Sequence, residues 1–178
     1  MNLANALSLA RLALAVPIVW IGMTVPHADV AYAVALLCFV GGVTTDIADG
    51  AVARRRGGTL LGSALDPVAD AVLILAALFP FALRIPTLTV AFVVLAVRDA
   101  FVFELRLRLA RQGIAMPAVP ASKAKTAFLD VACLSLLTAM AVSGYVFIAL
   151  GYAALFVGVF LSLTSALRYF SRARAAHA

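Results

Sequence analysis

Residues 46–70, DIADGAVARRRGGTLLGSALDPVAD, contain four of the chain's eight acidic residues. Asp46 and Asp49 are three positions apart, and Asp66 and Asp70 are four apart. On helices both spacings place the two carboxylates on one face, about one turn apart. The Gly57-Gly58 turn between the pairs lets the second helix fold back on the first. The sequence therefore predicts that all four carboxylates converge.

Converging carboxylates in a low-dielectric site repel one another unless a cation lies among them. Hard divalent ions such as Mg²⁺, Mn²⁺ or Ca²⁺ take carboxylate oxygens, and Mg²⁺ commonly holds substrate phosphates as well. Gly50, Ala51, Ala53 and Gly62 keep the helix faces bare, so a ligand can approach the backbone closely. Arg54 offers a planar cationic fork for phosphate. A solvated loop of charges is the alternative, and four aspartates at helical spacings disfavour it.

The rest of the chain is too apolar for a soluble fold. Hydrophobic residues make up 65% of the 178 positions and charged residues only 12%, whereas a soluble domain carries about 25% charged residues. We expect an all-α, polytopic integral membrane protein that forms a single domain over residues 1–178. The formal net charge is +6, and the basic residues fall mainly between the apolar runs. This position favours contact with anionic lipid headgroups over nucleic acid.

Six apolar runs are each long enough for a transmembrane helix of about 20 residues. They cover roughly residues 8–24, 29–50, 63–83, 87–107, 123–143 and 146–167. Most cations fall at one end of the resulting up-down bundle, and Arg84 is the single cation in the opposite loops. The positive-inside rule makes the cation-rich end cytosolic, with both termini on that side. This end carries Arg54–Arg56, Arg106, Arg108, Arg111, Lys123, Lys125, Arg168, Arg172 and Arg174.

Individual cations outside the acidic stretch allow finer predictions. We expect Arg11, Arg106, Arg108 and Arg111 to contact lipid headgroups. Twelve of the fourteen basic residues are arginine, which is typical of a GC-rich bacterial source. We therefore expect the chain in a bacterial cytoplasmic membrane, with its active site near the cytosolic face.

The acidic stretch resembles the signature of the CDP-alcohol phosphotransferase family, integral membrane enzymes of phospholipid synthesis. The matching pattern is Asp46-x-x-Asp49-Gly50-x-x-Ala53-Arg54…Gly62-x-x-x-Asp66-x-x-x-Asp70. Seven residues separate Arg54 from Gly62, where the family usually has eight. The resemblance extends to the Asn5-x-Leu7-Ser8-x-x-Arg11 opening, to Lys123-x-Lys125-Thr126 and to Ser165 with Tyr169. It covers nearly the whole chain and implies six transmembrane helices.

The resemblance implies that a phosphatidyl group moves from CDP-diacylglycerol to an alcohol, with release of CMP. It implies a two-metal site for Mg²⁺ or Mn²⁺ and assigns Asp70 as general base. It also suggests a homodimer, with helices 3 and 4 as the most plausible contacts. The implied metal ligands are Asp46, Asp49, Asp66 and Asp70. The implied CDP site contains Asp49, Gly50, Ala53, Arg54, Gly62 and Asp66.

Arg98 lies near the middle of the fourth apolar run, where an arginine needs a partner or a wet cavity. One interpretation is a structural ion pair with Asp99 or Asp130. The other is a phosphate clamp for an anionic acceptor, formed together with Lys125 and Arg168.

Several acceptors remain open. The motif sequences are most similar to those of phosphatidylglycerophosphate synthases and eukaryotic-type cardiolipin synthases. We therefore expect glycerol-3-phosphate as the acceptor first and phosphatidylglycerol second. Inositol phosphate, serine and choline come lower. A non-enzymatic cation transporter is the alternative from another class, but it predicts carboxylates spread through the depth of the bilayer.

Overall fold

A computed structural model describes residues 3–25, 29–56, 60–111 and 120–177, all of them helical apart from short turns. The described residues form six helices: α1 Leu3–Thr24, α2 Asp29–Arg56, α3 Leu60–Ala82, α4 Pro86–Arg111, α5 Pro120–Val142 and α6 Tyr145–His177. Side chains are described for 6–25, 29–45, 67–109, 111, 122–171. The prediction of an all-α chain with six helices is confirmed for this part of the protein.

The helix boundaries agree with the apolar runs except at the cation-rich end. There α2 continues six residues beyond the predicted end, and α6 continues ten beyond its own. Proline begins both α4 and α5, because its fixed φ suits the first helical position and its missing N–H is not needed there. Ser143, with φ of 50°, turns the chain between α5 and α6.

The six helices pack as a closed ring, in the order α1, α2, α5, α6, α4, α3 and back to α1. Further contacts of α3 with α5 and with α2 cross the ring. The buried core includes Ile18, Tyr32, Phe39, Leu73 and Leu129. Chain order and spatial order therefore differ, which brings α3 against α1 and α4 against α6.

The outer surface of the ring is apolar. Val16, Trp20, Val97, Phe156 and Leu167 are all exposed by more than half of their side-chain surface. Among the described side chains, three segments are long and apolar enough to cross a membrane: Ala6–Thr24, Ser122–Val142 and Tyr145–Ser171. Asp29–Thr45 and Pro67–Ala82 are shorter apolar helical segments that adjoin undescribed side chains. Six crossings and cytosolic termini remain predictions.

Arg84 joins three helix ends at the side opposite the acidic stretch. Its Nη1 donates to the carbonyl of Pro80 at 2.5 Å and to the hydroxyl of Tyr32 at 3.3 Å. Its Nη2 donates to the carbonyl of Gly22 at 2.9 Å. Carbonyls near a helix C-terminus lack intrahelical partners and carry partial negative charge. The guanidinium therefore fixes the ends of α1 and α3 against α2.

Candidate active site

The four aspartates of the acidic stretch lie on two helices, as their spacing predicts. Asp46 and Asp49 belong to α2, and Asp66 and Asp70 belong to α3. Of these four side chains, the structure describes that of Asp70. The side chains of the other three lie outside the described residues, and so do positions 57–59, where the sequence predicts a turn. Convergence on a metal therefore stays a prediction.

The residues expected to line the CDP pocket fall in the same region. The backbone positions of Gly50, Ala53 and Arg54 are in α2, and that of Gly62 is in α3. Their side-chain surroundings lie outside the described part of the chain. Their assignment to CDP remains a prediction.

Asp70 forms an ion pair with Arg11 of α1. Arg11 Nη1 lies 3.7 Å from Asp70 Oδ1, and the exposed fractions of the two side chains are 0% and 26%. The guanidinium is always charged in proteins. The carboxylate therefore has a buried cation on one side and an accessible surface on the other.

The expectation that Arg11 contacts lipid headgroups is wrong. Its side chain is completely buried, since α1 begins at Leu3 and places Arg11 more than two turns inside the helix. An arginine at that depth needs a countercharge within the protein. Asp70 supplies one, across the interface between α1 and α3.

A second group of buried charges lies where α4, α5 and α6 meet. Arg98 Nη1 and Lys125 Nζ both donate to Asp99 Oδ1, at 2.5 and 2.9 Å. Arg98 Nε donates to the carbonyl of Ser162 at 2.9 Å, and its Nη2 to the Ser165 hydroxyl. The Ser165 hydroxyl donates in turn to the Ser162 carbonyl at 2.8 Å. We call Arg98, Asp99 and Lys125, with these two serines, the cationic cluster.

The cationic cluster keeps one positive charge after its internal pairing, because Arg98 and Lys125 share one carboxylate. The Arg98 and Lys125 side chains are 7% and 8% exposed. The Arg98–Asp99 ion pair, one of the alternatives considered for Arg98, is therefore present, and Lys125 joins it. A desolvated cation without a full countercharge is costly, which suits a site that takes up an anion.

Arg168, the third member of the predicted clamp, is exposed on α6, about one turn beyond Ser165. Its backbone carbonyl accepts a bond from the Ser171 hydroxyl at 3.0 Å. None of the contacts given above for the cationic cluster involves Arg168, so its role toward an acceptor stays a prediction. Ser162 was not expected in the site. Ser162 contributes its backbone carbonyl, and such a contact cannot be predicted from the type of side chain.

Asp70 and the cationic cluster lie at a similar level in the bundle. Asp70 precedes the end of α3 by twelve residues, and Arg98 follows the start of α4 by twelve. At 1.5 Å per residue each is about 18 Å from the outer ends of these neighbouring helices. A partly exposed carboxylate and a net positive cluster therefore lie at a similar depth in the bundle.

The family model for CDP-alcohol phosphatidyltransferase matches residues 1–163. The chain belongs to this family. Its members transfer a phosphatidyl group from a CDP-alcohol to an alcohol acceptor, so the protein is a membrane-bound transferase of phospholipid synthesis. This outcome excludes the cation transporter as the main function.

The family generally depends on a divalent metal. In this transferase, Asp70 fits such an ion, because its carboxylate is a hard oxygen donor with accessible surface. No group of three metal-binding side chains occurs among the described residues, which include Asp70 but not the side chains of its three predicted partners. Asp46, Asp49 and Asp66 would complete the ligand set.

Proposed function

We propose that this transferase moves the phosphatidyl group of CDP-diacylglycerol to glycerol-3-phosphate and releases CMP at the cytosolic face of a bacterial membrane. The observation that carries the choice of acceptor is the net positive charge of the cationic cluster, buried at the level of Asp70. An anionic acceptor neutralises that charge, whereas serine or choline does not.

In the proposed reaction, the acceptor hydroxyl oxygen attacks the phosphorus that carries the diacylglycerol group. The new P–O bond forms as the bond to the CMP oxygen breaks, and CMP leaves with that electron pair. Asp70 takes the hydroxyl proton, for which its accessible carboxylate surface is suited. Divalent metal bound by Asp46, Asp49, Asp66 and Asp70 would neutralise the pyrophosphate charge.

Arg98 and Lys125 would hold the phosphate of the acceptor. A guanidinium has five N–H donors and an ammonium has three. The described contacts use three donors of Arg98 and one of Lys125. Donors on both side chains therefore remain for a phosphate, and Asp99, Ser162 and Ser165 keep the guanidinium plane fixed.

The test is a CMP-release assay on purified protein with CDP-diacylglycerol and Mg²⁺ or Mn²⁺. The acceptors are glycerol-3-phosphate, phosphatidylglycerol, inositol phosphate and serine. We expect the highest kcat/KM with glycerol-3-phosphate. Preference for serine would refute the role of the cationic cluster, and preference for phosphatidylglycerol would make the protein a cardiolipin synthase.

Two variants refine this test. Lys125→Gln should raise KM for glycerol-3-phosphate at least tenfold and leave KM for CDP-diacylglycerol within about twofold, because a charge-assisted phosphate contact contributes about 1.5–3 kcal/mol. Arg108→Gln is the control, since Arg108 is an exposed cation paired with Glu104 on α4. Equal effects of the two variants would contradict the assignment.

A further inference from the structure

Arg11 is a buried cation that the reaction outlined above does not use. It lies on α1, thirteen residues before the end of that helix at Thr24, or about 20 Å from the outer end. Asp70 on α3 is at nearly the same depth, and α1 packs closely against α3. The pair thus forms within the folded bundle, across an interface of two helices far apart in sequence.

The geometry divides the Asp70 carboxylate into two sides. Oδ1 is 3.7 Å from the guanidinium of a side chain with no solvent exposure, while about a quarter of the Asp70 side chain remains accessible. A carboxylate with no such neighbour would be free to change its χ angles at the edge of a site. Arg11 is completely buried, so the packing around it restricts the positions that its guanidinium can take.

We propose that Arg11 is a positioning residue that holds Asp70 in the orientation needed to bind metal and to accept the acceptor's proton. This proposal rests on the function proposed above for Asp70. Groups that orient a metal-binding carboxylate commonly change metal affinity or activity by about 10- to 100-fold when they are removed.

The test compares Arg11→Gln, Arg11→Lys, Asp70→Asn and the double variant Arg11→Gln/Asp70→Asn. Free Mn²⁺ is measured by electron paramagnetic resonance during titration of the purified protein. We expect Arg11→Gln to weaken Mn²⁺ binding and to lower kcat, each by about 10- to 100-fold. Arg11→Lys should recover part of both, since it keeps the charge and loses the planar fork.

A purely electrostatic effect of Arg11 and a positioning role for it predict opposite results in the Mn²⁺ titration. Loss of a nearby cation would by itself tighten Mn²⁺ binding, so unchanged or tighter binding by Arg11→Gln overturns the proposal. In the Asp70→Asn background, Arg11→Gln should cause no further loss of affinity, and an undiminished loss there would show that Arg11 acts elsewhere. If Arg11→Gln does not fold, the lysine variant carries the same comparison.

The design separates this proposal from the function on which it rests. Asp70→Asn with full turnover would refute Asp70 as base, whatever the Mn²⁺ titrations show for Arg11. Loss of turnover in Asp70→Asn, together with normal Mn²⁺ binding and kcat in Arg11→Gln, would refute only the positioning role.

Discussion

Asp99 is the shared countercharge of two buried cations, and its replacement by asparagine should destabilise the protein. Arg98 and Lys125 both donate to the same Asp99 oxygen, with exposed fractions of 7%, 8% and 15% for the three side chains. Breaking a buried pair by removing one charge costs about 3–5 kcal/mol. We expect the lower end, about 3 kcal/mol, because Asp99 is partly accessible and asparagine still accepts one hydrogen bond.

For a chain of this length, 1 kcal/mol corresponds to about 2–4 °C in Tm, so Asp99→Asn should lower Tm by about 6–12 °C. Thermal unfolding in detergent can be followed with a thiol-reactive dye, since Cys133 is a free, completely buried cysteine in the core. Adding Lys125→Met to Asp99→Asn removes the second cation and should restore most of the lost Tm.

Glu104→Gln is the matched control for Asp99→Asn. It also removes one carboxylate of α4 from an arginine, but Glu104 and Arg108 are 49% and 70% exposed. An exposed pair four residues apart contributes little to stability because solvent screens it, so Tm should change by less than about 2 °C. If Asp99→Asn lowered Tm no more than Glu104→Gln does, the cationic cluster would not be a desolvated ion group.

Three further predictions concern metal, packing and the outer end of the bundle. Chelation with EDTA should abolish CMP release and lower Tm, because carboxylates that converge without a cation repel one another; Mn²⁺ should restore both, and an unchanged Tm would argue against convergence. Gly22→Ala should destabilise the protein by about 1–3 kcal/mol, since a Cβ there would lie 2.6 Å from the rigid ring of Pro80. Gly41→Ala is the control, because a Cβ at Gly41 would meet Leu14 at an ordinary 3.6 Å. Equal Tm values for the two alanine variants would contradict this. Arg84→Gln should lower Tm by at least about 6 °C, because the charge-assisted bonds to the Pro80 and Gly22 carbonyls contribute about 1.5–3 kcal/mol each. KM for both substrates should stay unchanged; altered KM values would show that the outer end influences the site.

The helices could be predicted from sequence because their signal is local. Apolar runs of about 20 residues and the breaks between them fix the existence of each helix, and all six are found in the described residues. The ends at the cation-rich side were less accurate, since α2 and α6 continue as helices after their apolar composition ends. Hydropathy indicates which residues lie in the membrane. The helix can continue beyond them, because polar residues form the same backbone hydrogen bonds.

The partners of the buried cations could not be predicted as reliably. The Arg98–Asp99 pair was expected because the two residues are adjacent, but the contact of Arg98 with Ser165 joins positions 67 apart. Arg11 was assigned to the headgroup region because it stands near the start of an apolar run. Arg11 and Asp70 lie at similar depths on their helices, and this could have indicated an ion pair. Using it required knowing that α1 packs against α3.

The two buried ion groups differ in charge, and this difference bears on which acceptor the transferase uses. The opposite charges of Arg11 and Asp70 leave that pair with no net charge, whereas the cationic cluster keeps one positive charge. A neutral acceptor would leave that charge uncompensated in an apolar bundle, at a cost. Glycerol-3-phosphate and phosphatidylglycerol both bring a negative phosphate. Because Arg98 and Lys125 are almost closed off from the surface, we expect the smaller of the two to reach them.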